Sequence, residues 1–448
     1  MSRCKSCGIE LDFSRQNLSP EDFSRLVQTA KEKRVIEAFE AMCSGDIVNV
    51  SEGRAALHVN LRGERSEVVQ TTLERMYDFA EKVRNGQWTG CKGDRITDVI
   101  NIGIGGSDMG PRAVYHALRK AKQDIRVYFL AAVDGVALQR IVEKLNPLTT
   151  LVVVSSKSFR TQETLTNLSA VEDWLAEAGI AKEERKSHIV VASANPRAPE
   201  MLDLPASNYF PFWEWVGGRF SVWSSVGLPL IITFGVDVFK QLLAGAQAMD
   251  DHARHAPIEE NLPVLIALLS YRNSVDLSIS SHCFLPYDER LRVFGFWLQQ
   301  LEMESLGKNK RLDGSHVTGM TGQCVWGGHG NESQHSFYQW LREGTTNNSI
   351  VLCWTKKPGH PYDKLHRILV ANAMAQAEAL TMREINLPYF NVVSTLTVDE
   401  LTPYTLGALM SMYEHKTVML GTLYDINPFD QPGVELGKKL AHQVVNNS

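Results

Sequence analysis

Residues 155–164 read SSKSFRTQET and set the hydroxyls of Ser155, Ser156, Ser158, Thr161 and Thr164 around one cation, Lys157. Before them, the four apolar residues 151–154 have the length and composition of a strand covered on both faces. After them, TLTNLSAVEDWLAEAG has helical spacing at Leu165, Leu168, Val171 and Leu175, and Gly179 closes the helix. Hydroxyls, an ammonium and the free N–H groups of a helix start therefore meet where a parallel strand ends. That combination suits an anion, best a phosphate. A capped helix start with solvated serines is the structural alternative, and the number of hydroxyls favours the anion.

Other groups could act on whatever that turn anchors. A glycine turn at Gly103, Gly105, Gly106 and Ser107 lets backbone approach a ligand with no Cβ between them. Arg219 follows two glycines and sits among tryptophans. A guanidinium in such a dry setting can steady a developing oxyanion or simply stack on an indole, and the local sequence does not choose. Glu302 and Glu304 share a predicted helix but point about 200° apart, so only one can look into a cleft. His335 lies in GGHGNESQHSFYQ, and Lys438 falls at the margin of the apolar arc of a C-terminal helix. A lysine at such an edge ordinarily snorkels.

The elements that must position these groups follow from periodicity. Helices are expected at 19–45 and 66–84, with a short hairpin near 47–62, making residues 1–90 a mainly helical lead-in that packs on the second domain. From Thr97 strands and helices alternate: strands at 98–104, 125–133, 150–155 and 187–192, with helices at 111–122, 135–145 and 165–179. Such alternation means a parallel sheet with helices on both faces, and ligands of such sheets sit where the winding reverses. A second α/β block supplies helices at 237–254, 261–274 and 288–306. Strands are expected there at 275–280 and 349–354, an extended piece at 389–394, and further helices at 361–383, 400–413 and 433–445. The expected division is 1–90, 91–232 and 233–448.

Composition narrows the function classes. The chain has 448 residues, 44% hydrophobic and 22% charged, ordinary for a soluble globular protein of two or three domains. A formal net charge of -5 argues against a broad nucleic-acid surface. Seven cysteines, odd in number and widely spread, suit reduced thiols and a cytoplasmic setting. Cys4 and Cys7 lack the partners a zinc or redox site needs, so the N-terminus is expected to be frayed. MSRCKSCGIE has no apolar core for a secretory signal, and 226–236, the most apolar stretch, is too short to cross a bilayer. His252 and His255 have metal-ligand spacing but no third ligand, so no metal is expected. The glycine turn misses the third glycine of a dinucleotide fingerprint, where Asp108 stands, although Asp134 keeps a nicotinamide reading open.

Seven blocks taken together carry a resemblance. INIGIGGSDMGP (100–111), SSKSFRTQET (155–164), GGRFSVWSSVG (217–227), LEMESLGK (301–308), SQHSFYQ (333–339), LGALMSMYEH (406–415) and FDQPGVELGKKL (429–440) occur in the order seen in the glucose-6-phosphate isomerase family, and the chain closely resembles its compact bacterial form. The resemblance implies two sugar-isomerase-type α/β domains with mainly parallel central sheets flanked by helices. It implies reversible conversion of glucose 6-phosphate to fructose 6-phosphate, a glycolytic and gluconeogenic step, without a cofactor. It also implies a homodimer with a shared active site. Carried over, Ser156, Lys157, Ser158 and Thr161 would hold the phosphate and Gly106 and Ser107 would line the sugar. Glu304 would move the proton between carbons 2 and 1, and Arg219 would stabilise the cis-enediolate. Gln300 and Gln431 would touch hydroxyls, while Lys438 and a neighbouring subunit's copy of His335 would open the ring. Ser158 stands where animal members carry threonine, Arg160 replaces a smaller polar residue, and Pro432 replaces a bulky one.

Aldose–ketose conversion by proton transfer needs a base and a positive group where the enediolate oxygen forms. A carboxylate with a solution pKa near ~4.3 can serve if held close and dry. A hydride shift would need clustered metal ligands, which the spacing does not offer. Two rivals remain at this stage: a sugar-phosphate-binding regulator of the same fold without chemistry, and a nicotinamide oxidoreductase.

Overall fold

The computed structural model describes residues 2–382 and 388–434, together with residues 436, 437, 440, 443 and 444. Its architecture is two mainly parallel sheets with helices between and around them, the α/β class expected from the alternating pattern.

The first sheet contains β3 (Asp98–Ile102), β4 (Arg126–Leu130), β5 (Thr150–Ser155), β6 (Ile189–Ser193) and β7 (Tyr209–Pro211), in the order β4-β3-β5-β6-β7. Every pair is parallel. Every residue of β3, β5 and β6 is buried, which is why β5 and β6 carry continuous apolar runs rather than alternating ones. The chain steps from β3 to β4 on one side and then crosses back to β5 on the other. The winding therefore reverses between β3 and β5, and the glycine and serine turns are the two turns at that crevice.

The second sheet adds β1 (Arg3–Ser6), β2 (Ile9–Arg15), β8 (Ser281–Pro286), β9 (Cys324–Gly327), β10 (Asn348–Thr355) and β11 (Asn391–Val398), ordered β1-β2-β11-β10-β8-β9. Strands β8 to β11 pair in parallel, and β2 runs antiparallel to β11. The expected frayed N-terminus is overturned. Ile9, Leu11 and Phe13 alternate inward and are buried, and the Cys4 thiol donates to the Glu260 carbonyl at 3.0 Å. The period-two pattern there is only three residues long, too short to outweigh its polar neighbours on sequence alone.

Between the sheets runs the Pro403–Tyr424 helix, buried on nearly every side and packed along Val236–His255. A helix enclosed all round has no polar face to mark its length, which explains why it continues eleven residues beyond the expected end at 413. Other departures are local. No strand forms at 275–280; residues Arg272–Asp276 make a π-turn and the strand begins at Ser281. The expected 288–306 helix is broken into Glu289–Leu291, Phe294–Leu298, a π-turn at Gln299–Met303, and Glu304–Leu306. Near 47–62 there is an isolated Asn49–Arg54 bridge and a 3-10 turn at His58–Leu61 rather than a hairpin. In the expected 433–445 helix, the described residues 436, 437, 440, 443 and 444 are helical, with Leu436, Leu440 and Val444 exposed.

Candidate active site

The glycine turn after β3 opens the Gly106–Leu118 helix, which starts before Pro111 instead of at it. Gly105 has φ +60°, and a Cβ there would meet the Gln300 amide at 3.0 Å. Gly106 lies so close to the Gly218 carbonyl that any Cβ would overlap it. These glycines are thus required by contact: they let the β3 turn pack directly on the segment carrying Arg219 and on the π-turn carrying Gln300.

At the adjacent turn after β5, Thr161 stands at the N-cap position of the Gln162–Glu177 helix. Ser156 is buried, with its hydroxyl 3.5 Å from that of Thr161, and it accepts from the Phe159 N–H at 3.2 Å. Phe159 is fully buried in the core yet has φ +53°, a left-handed backbone rare for a large side chain. The buried ring pins the turn, leaving Ser158 and Arg160 exposed on either side. Lys157 turns towards residues 214–216, donating to the Glu214 carbonyl at 2.5 Å and the Val216 carbonyl at 3.0 Å. Burial pulls its ammonium below the ordinary lysine value, with Arg54 acting in the same direction.

Arg219 is the hub of the site. It is buried, and Nη1 lies 3.1 Å from Glu304 Oε2. Nη1 also donates to Gln431 Oε1 at 2.9 Å, Nη2 to the carbonyls of Pro428 and Asp430 at 2.7 and 3.1 Å, and Nε to Ser305 Oγ at 2.6 Å. Every nitrogen of the fork is therefore held, and the planar group cannot turn. Burial lowers the guanidinium's pKa, and the Glu304 charge opposes that shift. Gln300 donates to Glu304 Oε2 at 3.2 Å, one turn away on the same face. Glu302 faces the other way and is buried against Lys416, as the angular separation on the helix required.

The structure thus brings together Gly106, Arg219, Gln300, Glu304 and Gln431, with Ser107, Ser156, Lys157, Ser158 and Thr161 on the two neighbouring turns. His335 is exposed, and its imidazole makes no hydrogen bond or ion pair with the described residues. Lys438 lies outside the described residues. Asp134 caps the Gly135–Val142 helix, its Oδ1 accepting from Val136 N at 2.7 Å and Ala137 N at 3.0 Å, so that oxygen is committed to the helix start. Among the described residues no group of three or more His, Cys, Asp or Glu is placed to hold a metal.

Sequence reasoning missed Ser305, Lys308 and Asp430. Lys308 donates to the carbonyls of Glu304 and Ser305 at 2.9 and 2.8 Å and lies 3.4 Å from Asp430 Oδ1. Burial, helped by the nearby Arg219 charge, lowers it to about 8. Its only early signal was its place in LEMESLGK, and a lysine after a helix-ending glycine has no periodicity that separates it from a solvated one.

Fold and site together define a class: a doubly wound α/β protein with an anion-suited turn at its switch point and a carboxylate held against a buried guanidinium beside it. The profile of the Phosphoglucose isomerase family matches residues 12–386 and 391–448. A glucose-6-phosphate isomerase of Burkholderia multivorans is 45% identical over 464 aligned residues, covering 98% of this chain and 86% of the relative. One from Saccharophagus degradans is 40% identical with the same coverage. Among solved structures, a glucose-6-phosphate isomerase from Chlamydia trachomatis superposes with a TM-score of 0.86 at 28% identity, covering 99% of this chain and 90% of that one. A hypothetical protein from Thermus thermophilus gives 0.78 at 29% identity, covering 98% and 99%. The chain belongs to the phosphoglucose isomerase family, as its seven motifs implied.

Proposed function

We infer that this protein is an isomerase that interconverts D-glucose 6-phosphate and D-fructose 6-phosphate reversibly. Family membership over nearly the whole chain supports the reaction. The single observation that carries the mechanism is the 3.1 Å approach of Arg219 to Glu304 beside the serine turn. On this reading the phosphate sits against Ser156, Ser158 and Thr161, with the helix start behind them and the charge of Lys157 nearby. The Gly106–Ser107 turn, Gln300 and Gln431 border the sugar. Glu304 removes the proton from carbon 2 and returns it to carbon 1, while the fixed guanidinium balances the charge that collects on the enediolate oxygens. His335 and Lys438 open the ring. No step calls for a cofactor. An assay that couples fructose 6-phosphate consumption to glucose 6-phosphate detection, run with chelator present, tests the reaction; no turnover at saturating substrate would refute it.

The protein works, on the same reading, as a cytoplasmic homodimer whose partner contributes the imidazole. Supporting this, His335 is exposed just after the Gly330–Ser333 turn, which packs on the Asp363–Ala379 helix, and that helix presents Leu365, Ile368 and Met374 as exposed apolar residues. Residues 91–232 and 233–448 would form its two α/β domains, each around one of the sheets; of residues 1–90, β1, β2 and the helices over 20–44 join the second, whereas the Glu67–Arg84 helix packs on Tyr209–Pro211 and Leu228–Phe234 of the first. Mixing inactive Glu304→Gln and His335→Ala chains tests the shared site. Random reassociation restores about a quarter of the sites if they are shared, and none if each chain supplies its own.

A further inference from the structure

Glu302 and Lys416 form an ion pair in the interior, both carboxylate oxygens 2.8 Å from Nζ, with side chains 6% and 1% exposed. The ammonium also lies 5.5 Å from the centre of the Tyr413 ring. Both side chains are buried, and Lys416 donates to Glu302 alone among the described residues. A buried pair of this kind contributes little to stability compared with apolar side chains of the same size, because both charges are stripped of water. Its presence needs another explanation, and the local backbone offers one.

Glu302 sits in the π-turn Gln299–Met303, wedged between the Phe294–Leu298 and Glu304–Leu306 helical turns. A π-turn is a rare, weakly held conformation that re-aims the residues after it. Gln300 and Glu304 face the cleft from this segment, and Glu302 is its inward anchor. Lys416 lies on Pro403–Tyr424, the enclosed helix between the sheets. Two residues earlier on that helix, Glu414 accepts from the Trp223 indole at 2.8 Å and from Arg62 at 2.7 Å. Trp223 is four residues beyond Arg219. One rigid helix thus grips the segment bearing Glu304 through Lys416 and the segment bearing Arg219 through Glu414.

We propose that Lys416 is a positioning residue: through Glu302 it holds the π-turn in the shape that keeps the Glu304 carboxylate against Arg219 and over the sugar. This rests on the reading of Glu304 as the base. Positioning of that kind acts on the chemical step and leaves the phosphate anchor untouched.

The test compares Glu302→Leu/Lys416→Met, which replaces the pair with apolar groups, with Glu302→Gln, which keeps the shape and one acceptor. Turnover of fructose 6-phosphate, KM and thermal unfolding are measured on the intact protein. The double variant should lose at least about thirtyfold in kcat with KM within about threefold, and unfold within about 5 °C of the parent. Glu302→Gln should fall between the two. If both variants keep kcat within about threefold of the parent, the proposal is overturned. A loss of turnover matched by loss of folded protein, or carried by KM, assigns the pair to stability and overturns it as well. Glu304→Gln, run in parallel, separates the two ideas: if it stays active, the reading of the base has failed, whatever the pair does.

Discussion

Glu304 Oε2 stands 3.1 Å from Arg219 Nη1, and the arginine is held by four further hydrogen bonds, to Ser305, Gln431 and the carbonyls of Pro428 and Asp430. The two partners differ in freedom. Arg219 is locked and almost fully buried, whereas Glu304 keeps 20% of its side chain exposed and one oxygen outside the ion pair. A fixed cation beside a carboxylate with one oxygen outside the pair is suited to moving a proton along a substrate while the charge that develops stays in place.

On the proposed reading, Glu304→Gln removes the base and preserves the shape, including a group able to face Arg219. Turnover should drop by at least about a hundredfold with KM within a few-fold. Steady-state kinetics in both directions check this, and a variant with normal kcat would remove Glu304 from the mechanism.

Arg219→Lys keeps a charge but cannot reproduce the fork. An ammonium offers three donors where Arg219 now serves five acceptors, so several buried acceptors lose partners. The expected result is a fall in kcat of about ten- to a hundredfold, together with a lower unfolding temperature. Equal activity of the lysine variant would mean that only charge, not orientation, is used.

Much of this arrangement is legible in the chain itself, and what is not legible has physical causes. The apolar run 151–154 within β5, followed by hydroxyls, was legible because burial on both faces leaves a continuous run, whereas the place where the winding reverses depends on strand order, which periodicity does not carry. Glu302 and Glu304 were separable by angle alone. The π-turn beneath them was not, because a single i→i+5 step leaves no trace in side-chain periodicity. The β1–β2 hairpin was hidden for a different reason: its pairing with β11 is a contact across nearly four hundred residues. The Lys157 ammonium also donates to the carbonyls of residues 214 and 216 and lies 3.5 Å from the Glu214 carboxylate. Long-range acceptors of that sort are invisible in sequence.

The Lys157 contacts make a distinct expectation. Inorganic phosphate or fructose 6-phosphate should raise the unfolding temperature of the parent protein by linkage, and unphosphorylated glucose should raise it much less. Thr161→Val, which removes one hydroxyl at the helix start, should shrink the phosphate-induced shift without changing the starting temperature by more than about 2 °C. Lys157→Met should lower both, because the ammonium also ties β5 to the segment leading to Arg219. An equal response to glucose would mean that the turn does not bind phosphate.

The enclosed helix predicts how stability varies with pH. Burial pushes the Glu414 carboxyl up from 4.5 to about 7, against the opposing charge of Arg62. Arg62 also lies 3.0 Å from Asp250, which in turn bonds His415 at 2.7 Å. Burial lowers the pKa of His415 and of the nearby His58, so both imidazoles stay neutral more readily than in water. A carboxyl that binds its proton more tightly when folded contributes stability that is complete below the unfolded value and is lost as pH rises through the folded one. For Glu414 that window runs from 4.5 to about 7, and the full effect is on the order of 3 kcal/mol. Urea unfolding at pH 5, 6 and 7 should therefore show a downward contribution from this group. Glu414→Gln cannot titrate, so its stability curve should be flatter over that range than the parent's. Parallel curves for the two proteins would mean that Glu414 is ionised throughout and that Arg62 outweighs the cost of burial.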